Sequence, residues 1–344
     1  MKKVFISGIS GQDGAWLAKL LLNKGYKIYG GVRDKNHFVD WRLKKLGILD
    51  SINILEFNLL DPISIEKCIK EIQPDEFYNL AAQSSVAESF HSPLETSLVD
   101  GISVLHMLEA INKVSPHTKF FQASSSEIFG NSRDDQQTED TPIIPANPYA
   151  VAKSYAHWMN IHYRNAFKLF CVNGILYGHE SELRGEGFFS RKVSLHVANW
   201  YLGNKNILEV GNIDTEKDWG HAEEFVLGMY LSLQLDTPED FIFATGTKTK
   251  VRNFIESAYK EINVSLEWEG EAENQKGYNK TSGELLVSIN PKFYRPIEIK
   301  SACGNPNKAK EKLNWSTTID YQRIAQIMVR NDIYQLEQIP QNSI

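Results

Sequence analysis

Val4-Phe5-Ile6-Ser7-Gly8-Ile9-Ser10-Gly11-Gln12-Asp13-Gly14 is the stretch that decides the fold. Residues 4–7 have the apolar, partly β-branched character of a buried strand, three glycines follow at once, and residues 16–24 carry apolar side chains at helical spacing. A strand, a glycine loop and a helix in that order present backbone amides and a helix N-terminus to a phosphate. The spacing is G-x-x-G-x-x-G rather than G-x-G-x-x-G, so an ordinary glycine turn is the competing reading. The flanking strand and helix favour a bound nucleotide.

Outward from this loop the unit repeats. Strands are expected over 27–32, 52–57, 76–80, 120–123 and 170–176, with helices over 63–71 and 98–112 and another opening at Tyr149. Strictly alternating strands and helices predict an α/β fold, a doubly wound parallel sheet. Beyond it the spacing predicts helices over 191–202, 222–235 and 251–262, a hairpin near 208–213, a strand over 241–244 and a polar loop over 268–284. The expected division is a dinucleotide-binding domain over 1–182 with a returning segment at about 215–247. A smaller C-terminal substrate-binding domain takes 183–214 and 248–344.

With 344 residues, 42% hydrophobic and 23% charged, the chain is long enough for a sizeable core and an appended lobe. A net charge of −6 argues against a broad nucleic-acid surface. No apolar run has the length of a membrane span, and Gly8 arrives too early for a secretory core segment, so the expected compartment is the cytoplasm. Cys68, Cys171 and Cys303 are odd in number and lack metal-site spacing, which reads as reduced structural thiols and no metal.

Arg33 ends the second strand about twenty residues past the loop, where an acidic residue holds the ribose of NAD and an arginine accommodates the 2′-phosphate of NADP. Arg33 therefore favours NADP over NAD. Asp34 beside it is a competing ribose contact, and Arg42 a second cation. Farther along, Asn147 is a good helix cap and Pro148 suits the first helical position, which sets Tyr149 and Lys153 on one helical face. A lysine ammonium beside a phenol favours the phenolate, lowering it from about 10 and making Tyr149 a general base. The spacing alone fits any amphipathic helix. Ser124-Ser125-Ser126-Glu127, at the carboxyl end of a strand, adds the second half of a site.

Residues 8–14, Asn79-Leu80-Ala81-Ala82-Gln83-Ser84, the Ser124 to Glu127 run, and Tyr149 with Lys153 resemble the extended short-chain dehydrogenase/reductase superfamily. Asn173-Gly174-Ile175-Leu176, His179-Glu180-Ser181, Arg191-Lys192, Asp218-Trp219-Gly220-His221, Phe293-Tyr294-Arg295-Pro296 and Lys308-Ala309-Lys310-Glu311-Lys312-Leu313 are similar, more narrowly, to the GDP-mannose 4,6-dehydratase family. The likeness runs from residue 4 to about 332.

The resemblance implies a Rossmann-type fold, an NADP that is reduced and reoxidised within one turnover, a GDP-sugar substrate, and a homodimer or homotetramer. It implies that Tyr149, assisted by Lys153, removes the C4 hydroxyl proton, that Ser125 donates to the C4 oxygen, and that Glu127 handles the C5 proton as water leaves C6. For the cofactor it points to Gly8, Ser10, Gly11, Gln12, Asp13, Gly14, Arg33, Asn58, Leu59, Leu80, Ala81, Ala82, Ser84, His179 and Arg184, besides Tyr149 and Lys153. For the substrate it points to Ser84, Ser85, Asn173, Lys192, Lys217, Arg295 and Glu298, besides Ser125 and Glu127.

Five positions depart from that pattern. Ser125 stands for threonine, Ala146 for arginine, Gly178 for asparagine, Lys217 for arginine and Asn58 for aspartate. Less bulk at Ala146 and Gly178 is expected to widen the sugar site, which raises GDP-D-glycero-D-manno-heptose as an alternative to GDP-mannose. A non-catalytic NADP-binding regulator would typically lose Tyr149 or Lys153, and a simple epimerase or reductase has no use for Glu127.

Overall fold

The computed structural model describes residues 1–294 and 297–338. Its first six strands are β1 (Lys3–Ser7), β2 (Lys27–Val32), β3 (Ile52–Glu56), β4 (Glu76–Asn79), β5 (Lys119–Ser125) and β6 (Cys171–Leu176). In β1, Val4 and Ile6 enter one core, with Leu17 and Leu21 of helix Gln12–Asn23 and Phe225 and Met229 of helix Ala222–Leu233. Phe5 enters the opposite core, with Ile65 and Ile69 of helix Pro62–Ile72 and Met107 and Leu108 of helix Ser103–Val114. The same split separates Tyr78 from Phe77 in β4 and Phe121 from Phe120 in β5. Side chains alternate between faces with period two, so a sheet covered on both sides needs unbroken apolar runs.

The remaining strands are β7 (Gly178–Glu180), β8 (Leu208–Val210), β9 (Glu216–His221), β10 (Phe241–Phe243), β11 (Lys248–Lys250), β12 (Leu266–Glu269), β13 (Lys276–Asn279) and β14 (Leu285–Ile289). The main sheet runs β3-β2-β1-β4-β5-β6-β10, and every pairing in it is parallel. From β1 the chain winds outward to β3, then crosses back to β4. The crevice at that switch point, outside the carboxyl ends of β1, β4 and β5, is where such sheets receive ligands. Of the segment 215–247, β10 joins this sheet, whereas β9 lies in a separate three-stranded sheet, β11-β9-β7.

Beside the main sheet, helices Phe189–Tyr201, Val251–Glu261 and Tyr321–Glu337 bury Val193, Val197, Phe254, Ile255, Ile324 and Met328 around Leu208 and Val287 of a four-stranded sheet, β12-β13-β14-β8. No helix among the described residues is long and apolar enough to cross a membrane.

Three expectations change. The single helix expected over 98–112 is a short helix Pro93–Ser97, a π-turn over Leu98–Ile102, and only then Ser103–Val114. Gly101 lies in that wide turn, where a Cβ would come within 3.4 Å of the Ala152 carbonyl oxygen, so the two segments approach closely. The hairpin expected near 208–213 is one strand, β8, which pairs in parallel with β14. The polar loop expected over 268–284 contains β13, paired antiparallel with β12 and with β14. One face of that sheet is exposed, and alternating polar side chains disguise the strand as a loop.

Candidate active site

At the end of β1, Gly8 adopts φ +70, and a Cβ there would meet the Ala81 nitrogen at 2.8 Å. The glycine loop thus runs against the end of β4. Ser7 Oγ joins the two, accepting from the amides of Leu80 and Ala81 at 3.2 and 3.3 Å. A Cβ at Gly14 would lie 2.3 Å from the Gly8 carbonyl oxygen, so only glycine lets the helix pack this close. Gly11 caps helix Gln12–Asn23 without a side-chain bond to its first-turn amides. Those amides and the helix dipole fit the diphosphate of a dinucleotide cofactor.

Gln12 and Asp13 serve this loop indirectly. Asp13 Oδ2 pairs with His179 Nε2 at 2.8 Å, Gln12 Nε2 donates to the His179 carbonyl at 3.1 Å, and Ser181 Oγ donates to Gln12 Oε1 at 2.9 Å. Burial opposes charge on both members of the pair. Their mutual attraction wins, holding the Asp13 carboxyl below and the His179 imidazole above their usual ranges. His179 also stacks on Phe225, with centroids 4.7 Å apart. Arg42 donates to the Ser10 carbonyl at 2.9 Å and the Leu183 carbonyl at 2.6 Å, so it ties the glycine loop to the 179–184 segment. Arg184 lies 3.1 Å from Glu180 and 3.7 Å from the centre of the Phe188 ring.

Arg33 is exposed just past β2. Asp34 accepts from the Asn36 amide at 2.8 Å and pairs with His37 at 2.9 Å, so its carboxylate is taken up by its own turn. Asn58 is exposed and closes a turn onto the Leu60 amide. Leu59, Ala81 and Ala82 are half-buried, with Leu80 packed on the core beside them. Ser84 is exposed, and Ser85 caps helix Val86–His91 through the Glu88 amide.

The chemistry-bearing groups gather at the end of β5. Ser125 Oγ accepts from the Glu127 amide at 3.2 Å, starting a 3-10 turn that presents the Glu127 side chain. Glu127 Oε2 accepts from Asn147 Nδ2 at 2.9 Å, and Asn147 Oδ1 caps helix Pro148–Phe167 at the Ala150 amide, 2.8 Å away. In that helix Tyr149 and Lys153 are both buried, and Lys153 Nζ donates to the Ala123 carbonyl at 3.1 Å.

The expectation that Lys153 draws the Tyr149 phenol down does not hold. Burial, followed by the charge of Asp100, pushes the hydroxyl well above 10, and the Ser125 hydroxyl and Arg184 oppose that shift without reversing it. Burial likewise lowers the Lys153 ammonium, with Asp100 as the opposing charge. Asp100 itself accepts from the Gln83 amide at 2.7 Å, and burial pushes its carboxyl up to about 6. Sequence reasoning missed Asp100; the available signal was one acidic residue inside an apolar helical stretch.

Two further expectations fail on packing. Asn173 is fully buried, accepting from Asn160 at 3.1 Å and donating to the His157 carbonyl at 3.2 Å, so its amide ties β6 to a helix instead of facing a ligand. A Cβ at Gly178 would meet Trp219 Cδ1 at 2.7 Å and the Asp218 carbonyl oxygen at 2.9 Å. The room expected there is occupied by an indole. In the lobe, Lys192 Nζ lies 3.6 Å from the centre of the Phe293 ring and Lys217 Nζ bonds the Ile299 carbonyl at 3.4 Å. Glu298 is half-buried, and Arg295 falls outside the described residues.

Solved structures share this architecture at low sequence identity. The dTDP-glucose 4,6-dehydratase of Bacillus anthracis, in complex with NAD, superposes with a TM-score of 0.79 at 18% identity, covering 98% of each chain. Much nearer in sequence are the GDP-mannose 4,6 dehydratases of Dictyostelium discoideum, 40% identical with 96% of each chain covered, and of Cricetulus griseus, 41% identical over 96% of this chain and 91% of that one. The profile of the family described as GDP-mannose 4,6 dehydratase matches residues 5–328, and this chain belongs to that family.

Proposed function

We propose that the chain is an NADP-dependent GDP-mannose 4,6-dehydratase. The observation that carries this reading is the carboxylate of Glu127 on the same turn as the Ser125 hydroxyl, with that hydroxyl beside the Tyr149 phenol. Oxidation at C4 needs a proton acceptor and a donor to the C4 oxygen, the roles proposed for Tyr149 and Ser125. Elimination needs a third group. A C4 ketone acidifies the C5 proton, which Glu127 removes and passes to the departing C6 hydroxyl, so that the C5–H and C6–O bonds break and water leaves. The nicotinamide, when bound, supplies the hydride acceptor and donor for C4 and C6.

The glycine loop and the first turn of helix Gln12–Asn23 would hold the cofactor diphosphate. NADP is favoured over NAD by Arg33 at the end of β2 and by the engagement of Asp34 with Asn36 and His37. Lys192, Lys217 and Arg295 are proposed for the GDP diphosphate and Glu298 for the guanosine ribose. The relatives' names and the indole beside Gly178 favour GDP-mannose over the larger heptose. Self-association is proposed through helix Pro148–Phe167, where Val151, Tyr155 and Trp158 form an exposed apolar stripe beside Leu94 and Leu98.

The test is incubation of the purified chain with catalytic NADP and GDP-mannose. A 4-keto product lighter by one water, without net cofactor consumption, supports the reading; unchanged substrate refutes it.

A further inference from the structure

Asn147 is 5% exposed and uses both ends of its amide: Oδ1 accepts from the Ala150 amide at 2.8 Å and Nδ2 donates to Glu127 Oε2 at 2.9 Å. The two neighbours together fix the amide's orientation. A flipped group would set its oxygen against the carboxylate and its NH2 against an N–H donor, so both contacts would become repulsive. Capping alone does not demand this residue, since serine, threonine and aspartate cap as well. What asparagine adds, once its oxygen is committed to the helix, is an NH2 donor that reaches farther from the backbone than a serine or threonine hydroxyl.

That donor reaches the one carboxylate assigned to elimination, and it comes from the residue two before Tyr149. We infer that Asn147 is a positioning residue for Glu127, coupling the elimination carboxylate to the helix that carries Tyr149 and Lys153. It takes up one carboxylate oxygen only, so the other remains for the proton in transit. The 3-10 turn Ser126–Phe129 is too short to orient a flexible glutamate by itself, and the helix of twenty residues beside it is the rigid reference. An acid/base group misplaced by a fraction of an ångström loses rate without losing substrate. This inference rests on the dehydratase reading.

Two substitutions separate capping from positioning. Asn147→Ser keeps an oxygen for the Ala150 amide and replaces the NH2 with a hydroxyl on a shorter side chain, drawn back from Glu127; Asn147→Asp keeps the cap and turns a second carboxylate oxygen toward Glu127. Both are expected to melt within a few degrees of the parent chain. Steady-state turnover of GDP-mannose should fall about 10-fold in the first and about 100-fold in the second, with KM changed less than about 3-fold. In a single turnover, reduced nicotinamide should form at the parental rate and then accumulate, because C4 oxidation proceeds while loss of water is slowed.

Parental turnover in Asn147→Asp would overturn the inference, as would equal slowing of both half-reactions in Asn147→Ser. Should Asn147→Asp fail to fold, Asn147→Ser decides alone by the same single-turnover criterion. A parent chain that yields no 4-keto product refutes the dehydratase reading; an active parent with an indifferent Asn147→Asp refutes only the role of Asn147.

Discussion

Lys153 Nζ lies 5.7 Å from the centre of the Tyr149 ring while donating to the Ala123 carbonyl. The ammonium is anchored to β5 and supports the phenol from the side. Burial and then the charge of Asp100 hold the hydroxyl above its ordinary range, so the acceptor role proposed for Tyr149 would draw on the positive charge that an oxidised nicotinamide, when bound, brings beside it. Tyr149→Phe should therefore lower kcat by about 10³-fold, within the range for loss of a general acid or base. The melting temperature should stay within a few degrees, as calorimetry can verify.

Asp100 offers a pH test. Its carboxyl titrates at about 6 in the fold against 3.8 unfolded, so between those values the folded chain binds more protons than the unfolded one, and this group makes stability fall as pH rises. The contribution is about 3 kcal/mol at 1.36 kcal/mol per pH unit. Denaturant titrations of Asp100→Asn at pH 4 and pH 7 should show that decline reduced. Because Asp100 opposes the burial-driven lowering of Lys153, the alkaline limb of the variant's activity profile should move to lower pH.

Gly178 is held small by Trp219. Gly178→Ala should destabilise by about 1–3 kcal/mol through overpacking, seen as a melting temperature lower by several degrees. Gly178→Asn, which restores the residue common in the family, should melt lower still and leave the preference between GDP-mannose and GDP-heptose unchanged in paired turnover assays.

Arg33→Ala should raise KM for NADP about 10-fold or more while changing KM for NAD less than about 2-fold, since only the former carries the 2′-phosphate. Equal effects on both cofactors would remove Arg33 from that role.

The main sheet was legible because its strands are buried on both faces and their apolar runs are continuous. Helix Pro148–Phe167 was legible because Asn147 and Pro148 mark its start. What escaped was decided by contacts distant in sequence. β13 looked like a loop because one of its faces is exposed, and Asn173 looked like a ligand contact because its partners, His157 and Asn160, lie on another element. The acidity of Tyr149 was misjudged for the same reason: spacing reveals Lys153, but burial and Asp100 are known only once the chain has folded.

Strand β10 completes the main sheet by pairing Phe241–Phe243 with Gly174, Ile175 and Leu176. During synthesis, then, β6 emerges with its outer edge unpaired and waits for some 65 further residues before that edge is covered. A fragment ending near residue 182 would contain Ser125, Glu127, Tyr149 and Lys153 yet leave open the edge beside Leu176, together with the surface that Phe225 and Met229 cover. Such a fragment should aggregate, which light scattering of the purified fragment would show.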